Sequence, residues 1–110
     1  MTTPPETIAD AQDAVDRWIN QWEEGYFSPL SNLARLTEEV GELARLINER
    51  HGDKPPSGDA VSSTIEEELG DILFVVITLA NSLDVDLGRA LQGVLEKYDL
   101  RDAHRFTRRS

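Results

Sequence analysis

The chain has 110 residues, with 21 acidic against 11 basic side chains and no cysteine. That length fits one domain over residues 1–110, and the lack of cysteine excludes disulfides and zinc–thiolate sites. A net charge of −10 argues against a protein that coats nucleic acid; the first ten residues lack the basic and apolar regions of a signal peptide, and the run from Ile72 to Ala80 is too short for a bilayer, so the expectation is a cytoplasmic protein with no membrane partner.

In chain order, Ile8, Ala11, Val15, Trp18, Ile19 and Trp22 recur at helical spacing and predict a first helix from Ile8 to Glu24, capped by Thr7 and ended by Gly25. Ser28-Pro29 opens a second helix, a capping residue followed by proline at the first helical position, with Leu33, Leu36, Val40, Leu43 and Ile47 as its stripe and an end near His51-Gly52. Residues 53–62 hold two prolines and a glycine, and predict a flexible loop. Ser63-Thr64-Ile65-Glu66 reads as a capping box for a third helix that runs to about Asn81 and is buried on most sides through Ile72 to Ile77. Asp84 or Asp86 caps a fourth helix with Leu87, Ala90, Leu91, Val94, Leu95 and Tyr98 as its stripe. The fold class is therefore all-α, a four-helix, bundle-like arrangement.

The acids give the chemistry. Glu38, Glu39 and Glu42 share one side of the second helix, and at about 100° per residue Glu39 and Glu42 border the apolar stripe. Glu68 and Asp71 lie three apart on the third helix, and Asp71 directly precedes the most apolar run, where partial burial is expected and basic partners are scarce. Two helices that each offer a pair of acids can converge on one hard cation, and magnesium takes oxygen ligands while it bridges substrate phosphates. The competing reading of Glu66-Glu67-Glu68 is an ordinary acidic first turn that complements the helix dipole.

Glu38-Glu39-Val40-Gly41-Glu42 reads as E-E-x-x-E and Glu68-Leu69-Gly70-Asp71 as E-x-x-D. This pair resembles the MazG-like nucleotide pyrophosphohydrolases of the all-α NTP pyrophosphatase superfamily. The similarity extends through Gly25 to Leu30, Gly52 to Pro55, Ala80 to Leu83 and the tail from Lys97 to Arg109, and it covers roughly residues 8–109, the core of the expected domain. The resemblance implies a helical fold that assembles as a homo-oligomer, dimer or tetramer. It implies magnesium-dependent cleavage of a nucleoside triphosphate to the monophosphate and pyrophosphate, with manganese as a substitute metal. By motif position it makes Glu39, Glu42, Glu68 and Asp71 the metal ligands, and Glu38 the group that orients or deprotonates the attacking water. Housecleaning of noncanonical nucleotides is the role it suggests.

Lys97, Arg101 and Arg105 recur at i, i+4 and i+8 and suit the phosphates if the fourth helix continues through them; a basic helix end is the plainer reading. Lys54 in the loop is a candidate to close over phosphates, with an exposed lysine of no specific role as its rival. Asn81 is a candidate for the sugar or base, with helix capping as its rival. Tyr26 and Phe27, in the break before the acidic helix, are candidates for base stacking, whereas Trp18 and Trp22 fit core or subunit packing. Rival functions are a phosphoribosyl-ATP pyrophosphohydrolase and a catalytically silent helical interaction module. A di-iron carboxylate bundle needs Glu-x-x-His on two helices, and the sequence has none.

Overall fold

Thr7 starts α1 (Ile8–Asn20) by accepting a hydrogen bond from the Asp10 N–H. The structure, a computed structural model, describes residues 3–53 and 63–110. The helix stops four residues short of the expected Glu24. Residues 21–24 form turns, with the Trp22 N–H on the Ile19 carbonyl and the Gly25 N–H on the Trp22 carbonyl. Glu23 and Glu24 are charges of the wrong sign for a helix C-terminus, and Gly25 takes φ +59°, which reverses the chain into Tyr26-Phe27.

Ser28 caps α2 (Pro29–His51) through the Ser31 N–H, as expected. Thr64, not Ser63, caps α3 (Ile65–Ser82), and its hydroxyl accepts from the Glu67 N–H, so the expected cap is shifted by one residue. Asp86, not Asp84, caps α4 (Leu87–Arg101) through the Arg89 N–H, while Asp84 takes φ +55° in the turn before it. Among the described residues these four helices are the regular structure and no strand is present. No described helix is long and apolar enough to cross a membrane.

The main helix pairs are α2 with α3, α1 with α3, and α1 with α4. The core among the described residues is Ile19 from α1, Leu46 from α2, and Val75, Ile77 and Ala80 from α3. Two expectations about faces are corrected. Leu33, Val40 and Ile47 of the α2 stripe are exposed, and the inward line is Asn32, Leu36, Glu39, Leu43 and Leu46. Those positions centre roughly 60° around the helix from the sequence stripe, toward Glu39. α3 is not buried on most sides, since Leu69 and Leu73 stand more than half exposed, and α4 has no buried residue at all.

The radius of gyration is 17.6 Å, against about 13 Å for a compact domain of this length. The accessible area is 8972 Å² for 12.3 kDa, against roughly 6,100 Å² for a compact monomer of that mass. The chain by itself therefore leaves much apolar helix surface in water.

Candidate functional site

α2 and α3 bring Glu39, Glu42 and Glu68 together, with one carboxylate oxygen from each lying within 4.8 Å of the others. Glu68 sits in the first turn of α3, where the dipole favours an acid, but unlike Glu66 and Glu67 it is buried, at 4% exposure. Oε2 of Glu39 and Oε2 of Glu68 are buried and accept no hydrogen bond. A buried carboxylate oxygen without a donor is costly unless a cation faces it. Burial, first, and then the charges of Glu42, Asp71 and Glu68 push the Glu39 carboxyl above the usual carboxylate range, while Arg35 pulls the other way. The donor set is three carboxylates, two of which carry a buried oxygen without a hydrogen bond, and it fits a hard divalent cation such as magnesium.

Asp71 is exposed rather than partly buried, and it stands outside this set of three, although its charge is felt at Glu39. Asp71 shares the side of α3 that carries Val75 and Thr78, and as a carboxylate with no ion pair among the described residues it keeps its water there. Glu38, one residue before Glu39, is exposed. Arg35, on the preceding turn of α2, lies 4.0 Å from Oε1 of Glu39.

Beside the acids lies a cavity of about 290 Å³ whose walls include Trp18, Trp22, Tyr26, Phe27, Phe74 and Arg35. Trp18 meets Trp22 and Phe74 edge to face, at centroid separations of 6.0 and 5.7 Å. Both tryptophans are about half exposed, so they are not core residues of the single chain. Asn32 and Thr78, both buried, add polar groups to the same cavity, and the Asn32 side-chain amide donates to the Phe27 carbonyl at 3.4 Å.

Tyr26 is held from behind. Its hydroxyl donates to Oδ1 of Asp16 at 2.7 Å and accepts from Nδ2 of Asn81 at 3.1 Å. Asn81 Nδ2 also donates to the Gln12 carbonyl, and its Oδ1 accepts from Gln12 Nε2, whose own Oε1 caps the Leu87 N–H. The Asn81 side chain is thus spent on tying α1, α3 and the Tyr26 turn together, rather than capping α3. Burial, and then the bond to Asp16, raise the Tyr26 hydroxyl pKa, so it stays a donor.

The basic residues are not gathered at the acids. Lys97 and Arg101 lie over the Tyr98 ring, and Arg101 and Arg105 both pair with Asp102. α4 ends at Arg101, so Arg105 falls in a turn and the three do not share one helical face. Lys54, and residues 54–62 of the loop expected at 53–62, lie outside the described residues. Reading the sequence missed Arg35, Asn32, Phe74 and Thr78. Only Arg35 carried a local signal, four residues before Glu39 on a helix.

A model of the MazG nucleotide pyrophosphohydrolase domain matches residues 27–106. The Bacillus subtilis protein YpjD is 52% identical over 103 residues, covering 94% of this chain and 93% of that protein. Human dCTP pyrophosphatase 1 is 34% identical over 106 residues, covering 89% of this chain and 58% of its own length. The solved YpjD structure superposes with a TM-score of 0.77 at 50% identity, over 90% of this chain and 99% of that one. A Bacillus MazG structure, described as a nucleotide pyrophosphohydrolase, gives 0.73 at 49% identity, over 89% and 93%.

Proposed function

The chain belongs to the MazG nucleotide pyrophosphohydrolase family and is a pyrophosphohydrolase, and on that premise we propose that it cleaves a nucleoside triphosphate to the monophosphate and pyrophosphate in a magnesium-dependent reaction. The observation that carries this reading is the pair of unpartnered buried oxygens on Glu39 and Glu68, beside an aromatic cavity of base-accepting size. Glu39, Glu42 and Glu68 hold the cation, and Asp71 reaches in from the solvent edge. When bound, the cation offsets phosphate charge and makes a coordinated water more acidic.

Trp18, Trp22, Tyr26 and Phe74 enclose the base, and Phe27 covers the open side. Asn81 serves the base only through its hold on Tyr26. Glu38 takes a proton from the attacking water; the water oxygen bonds to the α-phosphorus, and the bond to the bridging oxygen breaks as pyrophosphate leaves. A 34% identity to a dCTP pyrophosphatase supports a dNTP among the substrates, with damaged nucleotides as the wider class. The cytoplasm, as the site of nucleotide pools, is the proposed location, and the chain acts as a single domain.

The working unit we propose is a homo-oligomer. The excess area of roughly 2,900 Å² per chain is of the size that obligate interfaces bury. Leu33, Val40 and Ile47 of α2, Leu69 and Leu73 of α3, and Leu91 and Leu95 of α4 present that surface. Lys97, Arg101 and Arg105 are proposed phosphate ligands within that assembly, since their own α4 packs on α1 rather than on the acidic α2.

The test is a product assay on NTPs and dNTPs with magnesium, with manganese and with EDTA, alongside the Glu39→Gln/Asp71→Asn double variant. Metal-dependent pyrophosphate and monophosphate that vanish in the variant are expected. Release of single phosphate, or turnover indifferent to EDTA and to the variant, overturns the reading.

A further inference from the structure

Three groups follow one another along the α2–α3 groove. Glu42 and Glu68 face each other at one end, and Glu39 comes next, within the field of Asp71. One turn further toward the start of α2, Arg35 lies over Phe74 with its guanidinium carbon 5.7 Å from the ring centroid. Beyond it the aromatic cavity opens between Trp18, Trp22 and Thr78. Arg35 therefore stands at the seam, both lining the cavity and reaching 4.0 Å from Glu39.

A nucleoside triphosphate has the same order of parts. If the base fills the cavity and the polyphosphate lies at the acids, the sugar and the α-phosphate must lie between them. We propose that Arg35 contacts the α-phosphate as a catalytic residue of this reaction, an inference that rests on the function proposed above. Its guanidinium is uncommitted. Among the described residues it has one ion contact, at 4.0 Å, and no hydrogen bond, and its side chain is 46% exposed. Five N–H donors in a fixed fork match two oxygens of a phosphate far better than one distant carboxylate oxygen. Phe74 lies under the guanidinium carbon at 5.7 Å, a contact to the ring face that takes none of the five N–H donors from an oxygen. When water attacks the α-phosphorus, negative charge grows on the non-bridging oxygens, and a donor already in place stabilises it without reorganisation.

A plain helix-stabilising pair between Arg35 and Glu39 makes a different prediction, so the two are separable. The experiment compares wild type, Arg35→Gln and Arg35→Lys on the nucleotide that wild type cleaves fastest, and separately titrates magnesium alone into each nucleotide-free protein by calorimetry. If Arg35 serves the α-phosphate, kcat of Arg35→Gln falls about 100-fold, the scale of one lost transition-state donor. Magnesium binds that variant as tightly as wild type or more tightly, because a positive charge beside Glu39 is gone. Arg35→Lys, which keeps the charge but not the fork, recovers part of kcat. The proposal is overturned if Arg35→Gln keeps the wild-type kcat, or if its magnesium affinity falls in step with kcat. Absence of metal-dependent pyrophosphate from wild type itself would instead overturn the proposed function.

Discussion

Replacing Glu39 by Gln is expected to stabilise the metal-free protein, against the usual trend for a change at a part-buried position. Glu39 is 16% exposed at the side chain, has carboxylate oxygens of Glu42 and Glu68 within 4.8 Å, and has Arg35 at 4.0 Å. At an effective dielectric of about 20, each repulsion at that limit is roughly 3.5 kcal/mol and the Arg35 attraction about 4 kcal/mol, a net cost near 3 kcal/mol; at the dielectric of water the same sum is about 0.7 kcal/mol. The site lies between these limits, so Glu39→Gln gains about 1–3 kcal/mol, or roughly 3–15 °C in Tm. Magnesium reverses the order, since saturation at about 1,000 times Kd adds about 4.1 kcal/mol to wild type and little to the variant. The assay is urea denaturation of both proteins at one fixed protein concentration, in EDTA and in magnesium. A variant less stable than wild type in EDTA would show that Glu39 already has an adequate partner, and the argument for a cation site would fail.

The raised Glu39 pKa sets a pH dependence of defined sign. The folded, metal-free protein binds this proton more tightly than the unfolded chain, so this group adds stability as pH falls from neutral into the window just above the ordinary glutamate range. In EDTA, wild type should gain on Glu39→Gln as pH drops from 7 toward 5, and a calorimetric titration should show magnesium affinity weakening over the same window; parallel stability curves for the two proteins would refute this. Asn81→Leu removes three hydrogen bonds that link α1, α3 and Tyr26, costs about 2–3 kcal/mol in urea denaturation, and raises KM more than it lowers kcat. Leu73→Asp places a charge on a side chain that is 56% exposed in the single chain; it should reduce the mass seen by light scattering to that of fewer copies, and a wild-type protein already at 12.3 kDa in solution would sink the oligomer proposal.

Local features were legible because local chemistry produces them. Thr7 and Ser28-Pro29 start helices through bonds to backbone groups three residues away, and the structure keeps both. The two acidic motifs fix which residues are one and three apart on a helix, and so which acids travel together. The sequence did not determine how far each helix turns about its own axis. The apolar stripe of α2 has two sides, and the chain buries the side that includes Glu39 and Leu46 while leaving Val40 and Ile47 out. That rotation turns Glu39 inward and sets Arg35, one turn before it, 4.0 Å from Glu39 and over Phe74. It is set by the packing of α3 between α1 and α2, among residues up to 69 positions apart, as in the Gln12–Asn81 pair. Sequence spacing therefore determined the helices and their acid pairs, whereas the tertiary structure decided which acids lose their water, because desolvation depends on the neighbours a helix face meets and not on the face itself.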